Sequence, residues 1–168
     1  MSSPWRALAE LVGDLLRLRR GPQDVPYSPT LLLLALIPYA LLSSALAAFA
    51  MPASRALLYG PTEAALLAVL VYVSVAVRRR PARYVQTLTA LLLVGVVFNA
   101  LSLPLTALAR PENGLGLLIL ALVAWSFAVS VHILRLALDL PVPGSVLVNL
   151  GFFFAAYFGL GYLFGLLS

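Results

Sequence analysis

Of the 168 residues, 62% are hydrophobic and only 10% are charged, and the mean hydropathy is +1.03; that balance excludes a water-soluble globular domain and makes lipid the solvent. The net charge of +5 comes from eleven arginines and no lysine, spread between apolar runs rather than gathered in a groove-sized patch, which points to anionic headgroups and away from nucleic acid. Cysteine is absent, so disulfides, thiolate metal sites and thiol catalysis are excluded; arginine without lysine beside abundant Leu and Ala suggests a GC-rich bacterial gene.

In chain order, residues 1–20 predict an amphipathic helix. Ser3 can cap it and Pro4 can open it. On a helical wheel Trp5, Leu8, Leu11, Val12, Leu15 and Leu16 share one half, and Arg6, Glu10, Asp14 and Arg17 share the other. Trp5 and the flanking arginines suit a headgroup zone, and the apolar half, with Trp5, Leu8, Val12 and Leu15 as its interfacial candidates, can lie on lipid or on the protein's own face. Residues 21–29 carry Pro22, Pro26 and Pro29, which predicts a hinge or extended link.

Five apolar runs follow, near 30–51, 60–77, 83–109, 115–138 and 144–167. Each meets the roughly 20 helical residues that a bilayer core requires. Their breaks carry the expected punctuation: Pro52, Gly60 and Pro61, then Arg78 to Pro81, then Arg110 to Gly114, then Pro141 to Gly144. None of these loops is long enough for a domain, and the continuous runs lack the alternation of barrel strands. Ala48 and Ala50 resemble a signal-peptide cleavage site, but the run begins too far from Met1 and is too long for such a leader. The chain therefore reads as an all-α bundle of five transmembrane helices preceded by an interfacial helix.

Arginine placement orients the bundle. Arg6, Arg17, Arg19, Arg20, Arg78, Arg79, Arg80, Arg83 and Arg135 fall on one side and only Arg55 and Arg110 on the other, which predicts a cytoplasmic N-terminus and a periplasmic C-terminus in a bacterial inner membrane.

Polar residues within the spans are the candidate functional positions, because they are costly there. Glu63, two residues after Pro61, reads as a first-turn carboxylate on the helix macrodipole, with substrate or proton binding as the alternative. In the third span Gly95, Asn99, Ser102 and Thr106 fall within about a 60° arc at about 100° per residue. That stripe suits helix packing, or else lines a solute path, and Pro104 beside it predicts a kink. The fourth span carries the sole histidine: Trp125, Ala128, His132, Arg135 and Asp139 share a face, with Arg135 placed to reach headgroups or Asp139. His132 reads chiefly as an interfacial packing residue, with a pigment or haem ligand as the alternative. Gly161 and Gly165, with Ala155 and Gly159, carry the small-residue spacing of close helix contacts. No nucleophile with a base partner and no metal-ligand set is present, so neither catalysis nor a cofactor is expected.

The segment Leu58, Tyr59, Gly60, Pro61 at the entry to the second span, the stretch Arg83, Tyr84, Val85, Gln86, Thr87 opening the third, and the five-span topology resemble the Ypt/Rab-interacting (YIP) membrane family and its bacterial relatives. The resemblance implies a non-enzymatic membrane scaffold. From these features the expected role is an adaptor or accessory subunit of a larger membrane assembly, with other membrane subunits and the lipid bilayer as partners; a small-solute or ion transporter is the alternative.

Overall fold

The computed structural model describes residues 4–110 and 112–166; the expected cap Ser3, together with Pro111 and Leu167, lies outside them. It is all helical: α1 Pro4–Leu16, α2 Pro29–Ala47, α3 Ala53–Val77, α4 Tyr84–Leu108, α5 Leu115–Leu138 and α6 Val142–Leu163. The helices α2 to α6 are long and apolar enough to cross a membrane, and α1 is shorter. The protein is a multi-pass integral membrane protein.

The five spans close into a ring in which α2 packs on α3 and α4, α4 on α5, α5 on α6, and α6 back on α3. The main core gathers where α4 is surrounded, with Leu88, Leu92, Val71, Val75, Ile133 and Leu134 almost wholly buried. Thr87 and Thr89 are buried there without cost because their hydroxyls donate to the carbonyls of Arg83 and Val85, each at 2.7 Å. Elsewhere the outer surface is Leu, Val and Phe, as a lipid-facing surface requires.

Helix ends follow local chemistry. Ser28 caps α2, its Oγ accepting from Leu31 N at 3.2 Å, and Pro29 occupies the first turn. At the other extreme Gly165, with φ of +67°, stops α6, and Leu166 N donates to Gly161 O at 2.8 Å. Gly165 therefore ends α6, and Gly161, which accepts that bond, is buried within the helix. Nothing approaches the position a Cβ on Gly159 would occupy.

One boundary differs from the expectation in a way that matters. The helix α3 begins at Ala53, so Gly60 and Pro61 lie inside it rather than at its start. Proline is tolerated in a membrane helix when neighbouring groups satisfy the backbone it disrupts. Ser44 of α2 does so: its hydroxyl donates to Leu57 O at 3.2 Å and accepts from Gly60 N at 3.1 Å. The missing side chain at Gly60 admits that approach, since a Cβ there would stand 1.9 Å from the carbonyl oxygen of Ala40. Likewise α4 runs through Pro104 to Leu108.

At the arginine-rich end α1 rests on the bundle itself. Leu11 and Leu15 are buried against the α4 and α5 core, Leu8, Val12 and Leu16 pack partly on it, and Trp5 remains exposed. The link after α1 is not an extended hinge. It contains a 3-10 turn at Pro22–Asp24, closed by Gly21 N donating to Asp24 Oδ2 at 2.8 Å, and Gln86 of α4 donates to Val25 O at 2.8 Å.

Candidate functional site

Starting α3 at Ala53 moves Glu63 from a helix terminus to the middle of a span. At about 1.5 Å per residue it lies about 15 Å from one end of α3 and about 21 Å from the other, far beyond the first-turn reach of the macrodipole. The helix-capping role expected for Glu63 is therefore excluded by its position. A mid-membrane carboxyl persists only where polar partners or water meet it.

Its partners come from α2 and α4. The hydroxyls of Ser43 and Tyr39 face the Glu63 carboxyl. Asn99 of α4 donates through Nδ2 to Ser43 Oγ at 2.8 Å, so the serine hydroxyl is oriented from behind. Tyr39 is held in turn by Gly95: a Cβ at residue 95 would lie 2.5 Å from the Tyr39 ring. The spacing of Gly95 and Asn99 thus has a concrete use, one residue admitting a tyrosine ring and the other completing a hydrogen-bond chain. Ser102 and Thr106, on the same arc, are half-buried beyond the reach of this cluster.

Three cavities share Glu63 as a lining residue. One, of about 270 Å³, runs past Ser43, Asn99 and Tyr59 to Met51 and Leu166, at the end of the bundle away from the arginines. A second, of about 320 Å³, passes between Tyr59, Phe153, Tyr157 and Gly161. The third, of about 220 Å³, extends between α3, α5 and α6 toward the arginine-rich end, reaching Leu70, Ser130 and Asn149. Asn149, almost fully buried, is fixed by donating to Phe127 O at 3.4 Å. Glu63 is therefore the point at which space entering from one end meets space leading toward the other, and among the described residues no basic side chain lines any of the three cavities.

The remaining candidates serve architecture. His132 places Nε2 3.2 Å from the carbonyl oxygen of Arg20, a contact made by its Nε2–H tautomer, and so ties the segment after α1 to α5. Arg135 is exposed. Asp139, expected to pair with it one turn on, leaves the helix at φ +48° and pairs instead with Arg80 and, at 3.8 Å, with Arg83. The other arginines at this end cap α5: Arg78 Nε donates to Leu138 O at 3.1 Å, and Arg83 Nη1 donates to Leu136 O and Ala137 O at 2.9 and 3.1 Å. Trp5, Leu8, Val12 and Leu15 of α1 lie about the same end, away from Glu63.

Comparisons with protein-family models, with curated proteins and with solved structures return no match for this chain.

Proposed function

We propose that this protein is a small carrier that binds a solute or ion at Glu63 and passes it between the two ends of the bundle. The observation that carries this reading is the convergence of three cavities, leading toward opposite ends, on one mid-membrane carboxyl. An intramembrane ionisable group facing the bundle interior marks a binding pathway far more often than a structural site. No residue carries catalysis in this reading.

The experiment is uptake into proteoliposomes, read by mass spectrometry of the washed vesicles, for a panel of cationic, anionic and neutral small solutes. At least one class should be taken up at a rate that falls to the protein-free level in Glu63→Gln, with the variant shown to be folded by its elution profile and melting curve. A panel that shows no Glu63-dependent uptake overturns the carrier reading.

A further inference from the structure

Resting on the carrier reading, the structure assigns a substrate class to the Glu63 site, and we propose that it is a lipophilic organic cation, bound by the carboxylate and by aromatic faces. Charge sets the sign. Among the described residues Glu63 is the one carboxylic acid lining the three cavities, and neither arginine nor histidine lines them. A cation entering this space meets a single opposite charge in surroundings that screen it weakly.

The walls set the kind of cation. Phe153 and Tyr157 of α6 stand nearly parallel, with centroids 6.4 Å apart and planes 9° from one another, and both line the cavity that holds Glu63. Tyr59 and Phe164 meet at 5.3 Å, with Tyr59 lining that cavity too. Phe127 and Phe152 line the neighbouring cavity on the other side of the carboxyl, and Phe153 is common to both. Aromatic faces attract a poorly hydrated organic cation through the ring quadrupole. A hard metal ion such as Mg²⁺ or Ca²⁺ instead demands about six or more oxygen ligands, which one carboxylate and a few hydroxyls do not supply.

Access points the same way. Phe153 and Tyr157 are each 53% exposed on a membrane-spanning helix and line the carboxyl cavity, so the aromatic wall lies where a molecule from the bilayer can meet it. A cation dissolved in the bilayer can reach Glu63 past these rings without first entering water.

A proton and such a cation compete for one carboxylate, so acidification weakens binding. The titratable groups facing Glu63 are Tyr39 from α2, Tyr59 from α3 itself and Tyr157 from α6, with none from α4 or α5. Phenols stay neutral on the acid side, which leaves Glu63 as the group that competition reports.

The test compares tetraphenylphosphonium with tetraphenylborate, probes of nearly equal shape and opposite charge, binding to the purified full-length protein in detergent by equilibrium dialysis. Tetraphenylphosphonium should bind and tetraphenylborate should not. Affinity for the cation should fall about tenfold or more in Glu63→Gln, and fall on acidification in the wild type but not in that variant. Glu63→Asp, which keeps the charge, should retain part of the affinity, and Phe153→Leu, which keeps apolar bulk, should lose about three- to tenfold. Equal binding of both probes, or unchanged cation binding in a folded Glu63→Gln, overturns the proposal. Glu63-dependent uptake of anions or neutral solutes only would remove the cation and leave the carrier; cation binding without any Glu63-dependent uptake would do the reverse.

Discussion

The Ser44 hydroxyl donates to the carbonyl of Leu57 at 3.2 Å, and Leu57 stands four residues before Pro61, where proline leaves a helical carbonyl without its donor. One side chain on α2 thus repairs the break in α3, and the same helix crossing seats Glu63 opposite Tyr39 and Ser43. Removing the repair in Ser44→Ala should cost about 1 kcal/mol, the scale of intramembrane hydrogen bonds. Gly60→Ala should cost more, about 2–3 kcal/mol or above, because its Cβ meets the Ala40 backbone. Unfolding of the two variants in mild detergent, ranked against wild type, checks the order.

Gly95 and Asn99 should separate packing from polarity. Gly95→Leu drives bulk into the Tyr39 ring and should strongly lower the melting temperature. Asn99→Ala should cost about 1 kcal/mol or less while disturbing the orientation of Ser43. In this cysteine-free chain, cysteines at 43, 99 and 130 should react with a water-soluble thiol reagent, since those positions line the Glu63 cavities, and a cysteine at buried position 92 should not. Equal protection at all four positions would mean that the cavities are closed to water.

Docking of α1 rests on Leu11 and Leu15 more than on Trp5. Leu11→Ser with Leu15→Ser should expose residues 4–25 to limited proteolysis while the spans stay inserted, whereas Trp5→Ser should leave the cleavage pattern unchanged. Digestion followed by mass spectrometry reads both outcomes.

Arg83 should matter more than the acid it pairs with. Asp139→Asn loses contacts between partly exposed groups and should cost no more than about 1 kcal/mol. Arg83→Ala also strips donors from the carbonyls of Leu136 and Ala137, so the end of α5 should fray first. Hydrogen exchange at residues 134–140 should rise in the arginine variant and stay near wild type in the asparagine one.

Reporter fusions test the orientation that the arginine count predicts. A fusion after Ser168 should report the periplasmic side and one between Arg78 and Arg83 the cytoplasmic side. Both on one side would end the five-span arrangement.

The spans themselves were legible because lipid imposes long apolar runs and arginines punctuate them. The Glu63 site was not, because Gly60 and Pro61 read locally as a break, and only the neighbouring helix supplies the serine that lets α3 continue through them. The signal lay in two places far apart in sequence: the adjacent Ser43 and Ser44 within an otherwise apolar run, and an acid ten residues inside what proved to be one helix. The Arg135 and Asp139 pairing failed for a similar reason, since helical spacing holds only until the chain turns left-handed at Asp139.

The two ends of the bundle are tied together differently. At one end α1, the 3-10 turn after it, Gln86, His132, Arg78, Arg80 and Arg83 stitch α3, α4 and α5 together through backbone carbonyls and Asp139. At the other, among the described residues, Ser44 joins α2 to α3, Arg55 donates to the carbonyl of Phe164 at 3.3 Å, and Tyr59 meets Phe164 beside a small apolar cluster around Met51 and Leu160. Unfolding should therefore begin at the end away from Asp139, where fewer of the described side chains join one helix to the next.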